Sequence, residues 1–259
     1  MIPLVNSLLL VWGLAAVLMT VLWFVQRRTG NAGIVDAGWA AALGGSAVLL
    51  AFILDGDLSR RILVGLAGGL WGFRLSAHIH HRAHGKPEDG RYQQLRREWG
   101  DRVQLRMFRF YQIQAFSVVF LALPFALAAN DSAALRWTDL AAVLLWIVAL
   151  AGEAIADAQL AAFKRSSPSP GPVCRAGLWR YSRHPNYFFE WLNWCAFALL
   201  ALFAPAGWLG LLAPASILYL LLGVTGIPAT EAQAVRSKGE AYREYQRTTS
   251  AFVPWFPRG

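Results

Sequence analysis

The stretch PLVNSLLLVWGLAAVLMTVLWFV, from Pro3 to Val25, has the length and the apolar composition of a helix that crosses a bilayer. It contains no charged side chain. No basic residue precedes it, and Arg27 and Arg28 follow it, which is typical of an uncleaved signal anchor rather than of a removable signal peptide. This stretch predicts a protein that is held in a membrane.

The remainder of the chain extends that prediction. Of the 259 residues, 56% are hydrophobic and twelve are Trp, which is too apolar for a soluble domain of this length. Runs of spanning length number about seven: Pro3–Val25, Ile34–Leu54, Ile62–Ile79, Phe110–Ala129, Trp137–Phe163, Tyr187–Phe203 and Trp208–Val224. We therefore expect an all-α polytopic membrane protein, a single domain over residues 1–259 with about seven transmembrane helices in one bundle.

Basic residues concentrate in alternate loops and in the tail at about residues 226–259. Because cytoplasmic loops collect Lys and Arg, this pattern predicts an amino end outside and a carboxyl end in the cytosol. The same bias, with attraction to anionic lipid, accounts for the net charge of +9, and we expect no nucleic-acid partner. The tail is expected to fold back as a helix up to Tyr245, and SSPSPGP, from Ser166 to Pro172, is short enough to be a lid.

Polar residues inside the predicted spans all fall on the cytosolic side of this topology. They are Asp36, Arg74, His78, Glu153, Asp157, Asn186, Glu190 and Asn193. Six of them form pairs four positions apart on three helices, and residues at that spacing share one helix face. Charged groups within a span are costly unless they are paired or functional. The pattern therefore predicts a polar pocket that opens to the cytosol.

Metal and disulfide chemistry have weak support in the sequence. The two cysteines, Cys174 and Cys195, provide no disulfide framework and no thiolate spacing for a metal. The stretch HIHHRAH, from His78 to His84, suggests a metal site, since imidazole is a common ligand. Membrane di-iron enzymes, however, need more histidines than the five in this chain. We expect no metal.

The junction GLWRYSRHPNYFFE, from Gly177 to Glu190, places charged residues at the start of an apolar helix. With the carboxyl-terminal stretch GIPATEAQAVRSKGEAYREYQRTTSAFVPWFP, residues 226–257, it resembles the membrane family related to steroid 5-alpha-reductases, most nearly a bacterial branch, DUF1295. The resemblance covers nearly the whole chain and is strongest from Glu153 to Pro257. It implies a seven-helix bundle in the bacterial inner (plasma) membrane that binds NADPH from the cytosol and reduces an activated carbon–carbon double bond in a lipid.

The resemblance also assigns cofactor contacts to individual positions. Asn186 and Glu190 would face the nicotinamide carboxamide, and Asp157, with Glu153 one turn earlier, would contact the adenosine part. Lys164 would lie near its phosphates and Arg74 would bind the pyrophosphate, while His78 and Lys86 fall where relatives place a Tyr and an Arg. Since guanidinium groups bind phosphate oxygens in bidentate fashion, the candidate cations are Arg74, Arg82, Lys86, Lys164, Arg180 and Arg183.

The reaction is less determined than the cofactor. Steroid-reducing relatives place a catalytic Tyr where this chain has Trp71, and indole cannot supply a proton. Asp36, His78 and Tyr187 are the candidate acids. The substrate is expected to enter from the bilayer as a sterol-like, polyprenoid or fatty acyl lipid, and the protein to act as a monomer.

Two other functions fit part of the pattern. Isoprenylcysteine carboxyl methyltransferases and related phospholipid methyltransferases share an Arg-His-Pro-x-Tyr motif, and Glu231 and Tyr245 also match them. They bind S-adenosylmethionine, which has no phosphates, so the predicted phosphate-binding set favours the reductase. A lipid-binding protein that kept the fold without the chemistry is the third interpretation, because the catalytic Tyr is missing.

Overall fold

A computed structural model describes residues 3–166 and 172–258. The structure is 80% helical, and its described residues include no strand, so the predicted all-α class is confirmed. The segment predicted as a lid lies outside the described residues over 167–171. The α-helices of the described chain are α1 (Leu4–Thr29), α2 (Ile34–Ile53), α3 (Leu58–Ala83), α4 (Gly90–Trp99), α5 (Val103–Leu121), α6 (Leu123–Ala129), α7 (Trp137–Ser166), α8 (Pro185–Ala201), α9 (Leu212–Tyr219), α10 (Ile227–Lys238) and α11 (Glu240–Thr248).

Six helical segments of the described chain are long and apolar enough to cross a membrane, so the protein is membrane-embedded. They are Leu4–Thr29, Ile34–Ile53, Leu58–Ala83, Gly90–Ala129, Trp137–Ser166 and Gly207–Lys238. The sequence predicted a further span at Tyr187–Phe203. The structure forms helix α8 there, and its 17 residues lie at the lower end of the length that a span needs. The number seven and the orientation of the termini stay predictions.

The chain divides into two compact units. Unit 1 comprises Met1–Leu135 and Ala201–Gly210, and unit 2 comprises Arg136–Leu200 and Leu211–Gly259. The sequence predicted one domain over residues 1–259, and that organisation stays a prediction. Each unit has its own close helix contacts and its own polar cluster.

In unit 1, α2 packs against α3 through glycine. A methyl group placed on Gly72 would lie 2.5 Å from Cα of Gly44 and 2.8 Å from the carbonyl oxygen of Ala40. Small residues thus let the two backbones touch, as they commonly do in membrane helix pairs. The basic loop predicted after the third span contains α4, whose first turn is capped by the Asp89 carboxylate accepting from the Arg91 amide.

In unit 2, α7 and α8 also meet at a glycine. Gly152 faces the ring of Phe189, and a methyl group at this position would overlap that ring. The tail contains two helices instead of the one that was predicted. Helix α10 ends at Lys238, and the next residue, Gly239, has a φ of 57° in the left-handed region, which separates α10 from α11. The bend brings α11 back toward the start of α8, where the polar residues of unit 2 are found.

Candidate functional site

Two carboxylates of α7 pair with two amides of α8 inside unit 2. Asn186 Nδ2 donates to Asp157 Oδ1 at 3.3 Å, and Asn193 Nδ2 donates to Glu153 Oε2 at 3.3 Å. The carboxylates lie about one turn apart on α7 and the amides about two turns apart on α8. We call these four residues the polar ladder. The structure thus brings together Glu153, Asp157 and Asn186, which the sequence had placed on matching helix faces.

The interior of α8 carries two further polar groups next to the polar ladder. Glu190 Oε1 accepts from the indole Nε1 of the buried Trp194 at 3.0 Å, which fixes the direction of the carboxylate. Asn193 is fully buried, and its Oδ1 has no hydrogen-bond partner within residues 3–166 and 172–258. A buried acceptor without a donor is costly, so this oxygen is a position where a ligand donor would be stabilised. Sequence reasoning noticed Asn193 only as a polar residue of the span.

The Arg-His-Pro motif before α8 is bound by the tail. Arg183 Nε donates to Glu231 Oε1 at 2.6 Å, and its Nη1 donates to the carbonyl oxygens of Gln246 and Thr249. His184 Nε2 lies 3.2 Å from the same Glu231 oxygen, and Gln246 Nε2 donates to Glu231 Oε2 at 2.7 Å. Arg183 therefore has internal partners, and a direct contact with a cofactor phosphate stays a prediction. Sequence reasoning assigned Glu231 only to the rival methyltransferase.

Tyr187 stands beside this cluster. Its ring stacks on that of His184, with centroids 5.3 Å apart and planes 12° apart. Its hydroxyl lies 3.3 Å from Thr230 Oγ1 on α10, which gives it a donor or acceptor partner. Of the three candidate acids, Tyr187 is the one next in sequence to a polar-ladder residue, Asn186, so its backbone position is fixed by the first turn of α8.

A second set of hydrogen bonds holds the turn before α8 against the tail. The hydroxyl of Tyr245, on α11, donates to the carbonyl oxygens of Trp179 and Ser182, and burial raises the pKa of this phenol. Ser182 Oγ in turn donates to the carbonyl oxygen of Phe252 at 2.7 Å. These buried hydrogen bonds hold the turn that leads into α8 against the tail. Tyr245 thus has a structural role in this chain.

Asp36 occupies a separate cluster in unit 1. Its Oδ1 accepts from the hydroxyl of the buried Tyr92 at 2.6 Å, and its Oδ2 accepts from Arg91 Nη2 at 3.1 Å. Both partners lie on α4, so the carboxylate ties α4 to the first turn of α2. Next to it, Glu88, whose side chain is largely buried, pairs with Arg96 Nε at 2.9 Å. A catalytic role for Asp36 stays a prediction, and its two partners show that it connects helices.

The remaining candidate residues are distributed over both units. Arg74, His78 and Arg82 lie along α3 of unit 1, and the exposed Lys86 follows that helix. Lys164 is exposed at the end of α7, and Arg180 is exposed in the 3-10 turn Gly177–Arg180 of unit 2. No group of three or more His, Cys, Asp or Glu that would suit a metal occurs in the described part of the chain. Within HIHHRAH, the ring centroids of His80 and His84 lie 5.5 Å apart.

Together these features define an all-helical membrane protein with a polar ladder between two of its helices and a tail bound to the entry of α8. The chain belongs to the family described as protein of unknown function DUF1295, whose model matches residues 22–249. This family is related to the steroid reductase-like enzymes. No curated protein and no solved structure matches the sequence.

Proposed function

We propose that this protein is an NADPH-dependent membrane oxidoreductase that reduces an activated carbon–carbon double bond of a lipid. The observation that carries the proposal is the polar ladder, with Glu190 beside it, in a family related to steroid reductase-like enzymes. Carboxylates and amides inside a membrane helix pair are costly, and such residues mark functional sites.

The residues of unit 2 fit the polar end of a nicotinamide cofactor. A carboxamide offers an NH2 donor and a carbonyl acceptor, and the first half of α8 offers the complementary Glu190 carboxylate and Asn186 amide. The unsatisfied Oδ1 of Asn193, one turn after Glu190, is a further acceptor for a donor-bearing ligand. Exposed cations on the same unit, Lys164 and Arg180, are suited to phosphate oxygens.

Each residue has a separate part in the proposed reaction. The cofactor, when bound, would supply a hydride to one carbon of the double bond. Glu190, oriented by Trp194, holds the carboxamide and so selects the ring face that is presented to the substrate. Asp157 orients Asn186 for the same purpose. The Tyr187 hydroxyl is the proposed proton donor to the other carbon, since its partner Thr230 can orient it.

The proposal is tested by titrating the detergent-purified protein with NADPH, NADH and S-adenosylmethionine, following nicotinamide fluorescence or calorimetric heat. Glu190→Gln keeps the shape of the side chain and removes its charge, so we expect the Kd for NADPH to rise at least about tenfold, roughly 1.4 kcal/mol. Glu98→Gln, the same change at an exposed position of α4, is the control and should leave binding unchanged. Equal NADPH binding by parent and Glu190→Gln would contradict the assignment.

One contact keeps the methyltransferase as a second candidate. Glu231 binds both Arg183 and His184 of the Arg-His-Pro motif, the same residues that the methyltransferase resemblance uses. Its carboxylate is, however, already engaged by three side chains, which suits a structural role. Binding of S-adenosylmethionine alone would replace the reductase by methyl transfer, and binding of neither ligand would favour a lipid-binding protein without chemistry.

A further inference from the structure

The tail of unit 2 lines a partly open cavity of about 410 Å³ in which neither the polar ladder nor Glu190 takes part. Its lining includes three arginines and three hydroxyl residues: Arg183, Arg247, Arg258, Thr248, Thr249 and Ser250. No acidic side chain is among its lining residues in the described chain. We call it the tail cavity. Guanidinium and hydroxyl groups together are the donors that proteins use for phosphate oxygens.

The walls of the tail cavity are fixed by backbone hydrogen bonds. The amide of Arg183 donates to the Ser250 carbonyl oxygen at 2.8 Å, and the amide of Arg258 donates to the Thr248 carbonyl oxygen at 2.8 Å. The amide of Trp255 donates to the Tyr181 carbonyl oxygen at 2.9 Å. These three hydrogen bonds hold the backbone of the segment after α11 in place before a ligand arrives.

Two of the three arginines around the tail cavity remain available to an anion. Arg247 pairs with Glu240 and Glu244, but these side chains are 61%, 65% and 45% exposed, and exposed pairs contribute little and exchange readily. Arg258 forms no ion pair within the described residues. Arg183, by contrast, is held by Glu231 in a pair whose side chains are 10% and 14% exposed. Arg247 and Arg258 are therefore the cationic groups that an anion in the cavity would meet without first breaking a buried salt bridge.

An apolar rim indicates that the anion belongs to a lipid. Val253, Trp255 and Phe256 line the same cavity and are 51%, 69% and 76% exposed. Exposed aromatic residues beside arginines are typical of segments that lie at the bilayer interface. Helix α11 begins two residues after the end of the candidate span Gly207–Lys238, so the chain has only a short distance in which to leave the membrane surface. A soluble inorganic phosphate has no apolar part that could contact these three side chains.

We propose that the tail cavity binds the phosphate headgroup of an anionic phospholipid, with the rim residues inserted among its acyl chains. Arg247, Arg258 and the hydroxyls contact the phosphate, and Trp255 and Phe256 contact the glycerol and upper chain region. This assignment is independent of the proposed reductase, because neither Arg247 nor Arg258 nor the rim belongs to the polar ladder.

Native mass spectrometry of the detergent-purified full chain tests the assignment with dioctanoyl phosphatidylglycerol, dioctanoyl phosphatidylcholine and inorganic phosphate as probes. We expect the phosphatidylglycerol complex to form about tenfold more tightly than the phosphatidylcholine complex. The double change Arg247→Gln with Arg258→Gln should abolish that preference, while Arg97→Gln with Arg102→Gln, two exposed arginines of unit 1, should preserve it. Trp255→Ser should weaken both lipid complexes.

Two results would overturn the proposal. One is a preference for phosphatidylglycerol that survives the double change at Arg247 and Arg258. The other is displacement of the lipid by inorganic phosphate at concentrations near the lipid Kd, which would assign the cavity to a free phosphate compound. NADPH binding is measured on the same samples, and the double variant should retain it, so failure of this proposal and failure of the reductase proposal are distinguishable.

Discussion

Glu231 binds three side chains that lie 15, 47 and 48 positions away along the chain. Its carboxylate and the Arg183 guanidinium are only 14% and 10% exposed, so the pair is shielded from water on most sides. Removing one partner from such a pair leaves the other charge without compensation, which costs far more than losing an exposed pair. At this scale, a single carboxylate holds the Arg-His-Pro turn to the tail.

Replacing this carboxylate by its amide tests that role. Glu231→Gln keeps the volume but removes the charge that faces Arg183 and His184, and we expect the free energy of unfolding to fall by about 2 kcal/mol. Glu244→Gln, whose pair with Arg247 is exposed, is the matched control and should leave the unfolding midpoint unchanged. Denaturant titration in detergent micelles measures both, and equal effects of the two changes would contradict the argument.

At the scale of the element, helix contacts depend on glycines at specific positions. Gly152 lets α7 approach the Phe189 ring of α8. The two hydrogen bonds of the polar ladder, Asn186 to Asp157 and Asn193 to Glu153, need this close approach of the two helices. Interior packing tolerates added volume poorly, because side chains sit in well-defined rotamers with few voids. The close contact between α7 and α8 that the polar ladder needs therefore depends on glycine at position 152.

Gly152→Ala should displace α7 from α8. We expect destabilisation of roughly 1–3 kcal/mol from overpacking, together with weaker NADPH binding if the polar ladder holds the cofactor. Gly13→Ala, in α1, is the control, because a methyl group there meets no atom within 4 Å and alanine favours the helix. Thermal unfolding and the NADPH titration are measured together. Unchanged stability of Gly152→Ala would show that the helices have room for a methyl group.

The sequence predicted elements better than contacts between distant residues. Apolar runs gave the helices because a long uncharged stretch has few alternatives in a bilayer, and spacing placed Glu153 and Asp157 on one face. It did not show α4, which is short and strongly polar, nor the break at Gly239. The partners of the Asp36 and Arg183 side chains lie 48 to 66 positions away, and no local periodicity encodes such pairs.

At the scale of the whole molecule, the crossing number depends on α8. Its 17 residues extend about 26 Å at 1.5 Å per residue, close to the thickness of the hydrocarbon core, which is about 30 Å. Its apolar side chains favour crossing, whereas Asn186, Glu190 and Asn193 in its first half disfavour it. If α8 crosses, the basic tail lies on the same side as the basic loop after α3, which agrees with the positive-inside rule.

Because six and seven crossings place the tail on opposite sides of the membrane, cysteine labelling can distinguish them. In a chain with Cys174 and Cys195 replaced by Ser, single cysteines are introduced by Asp55→Cys, Lys86→Cys and Ala241→Cys, all at exposed positions. A membrane-impermeant maleimide applied to intact spheroplasts should label the Asp55 variant alone, and lysis should expose the other two. Because six crossings would place residue 241 on the side of residue 55, labelling of the Ala241 variant in intact spheroplasts would show that α8 does not cross.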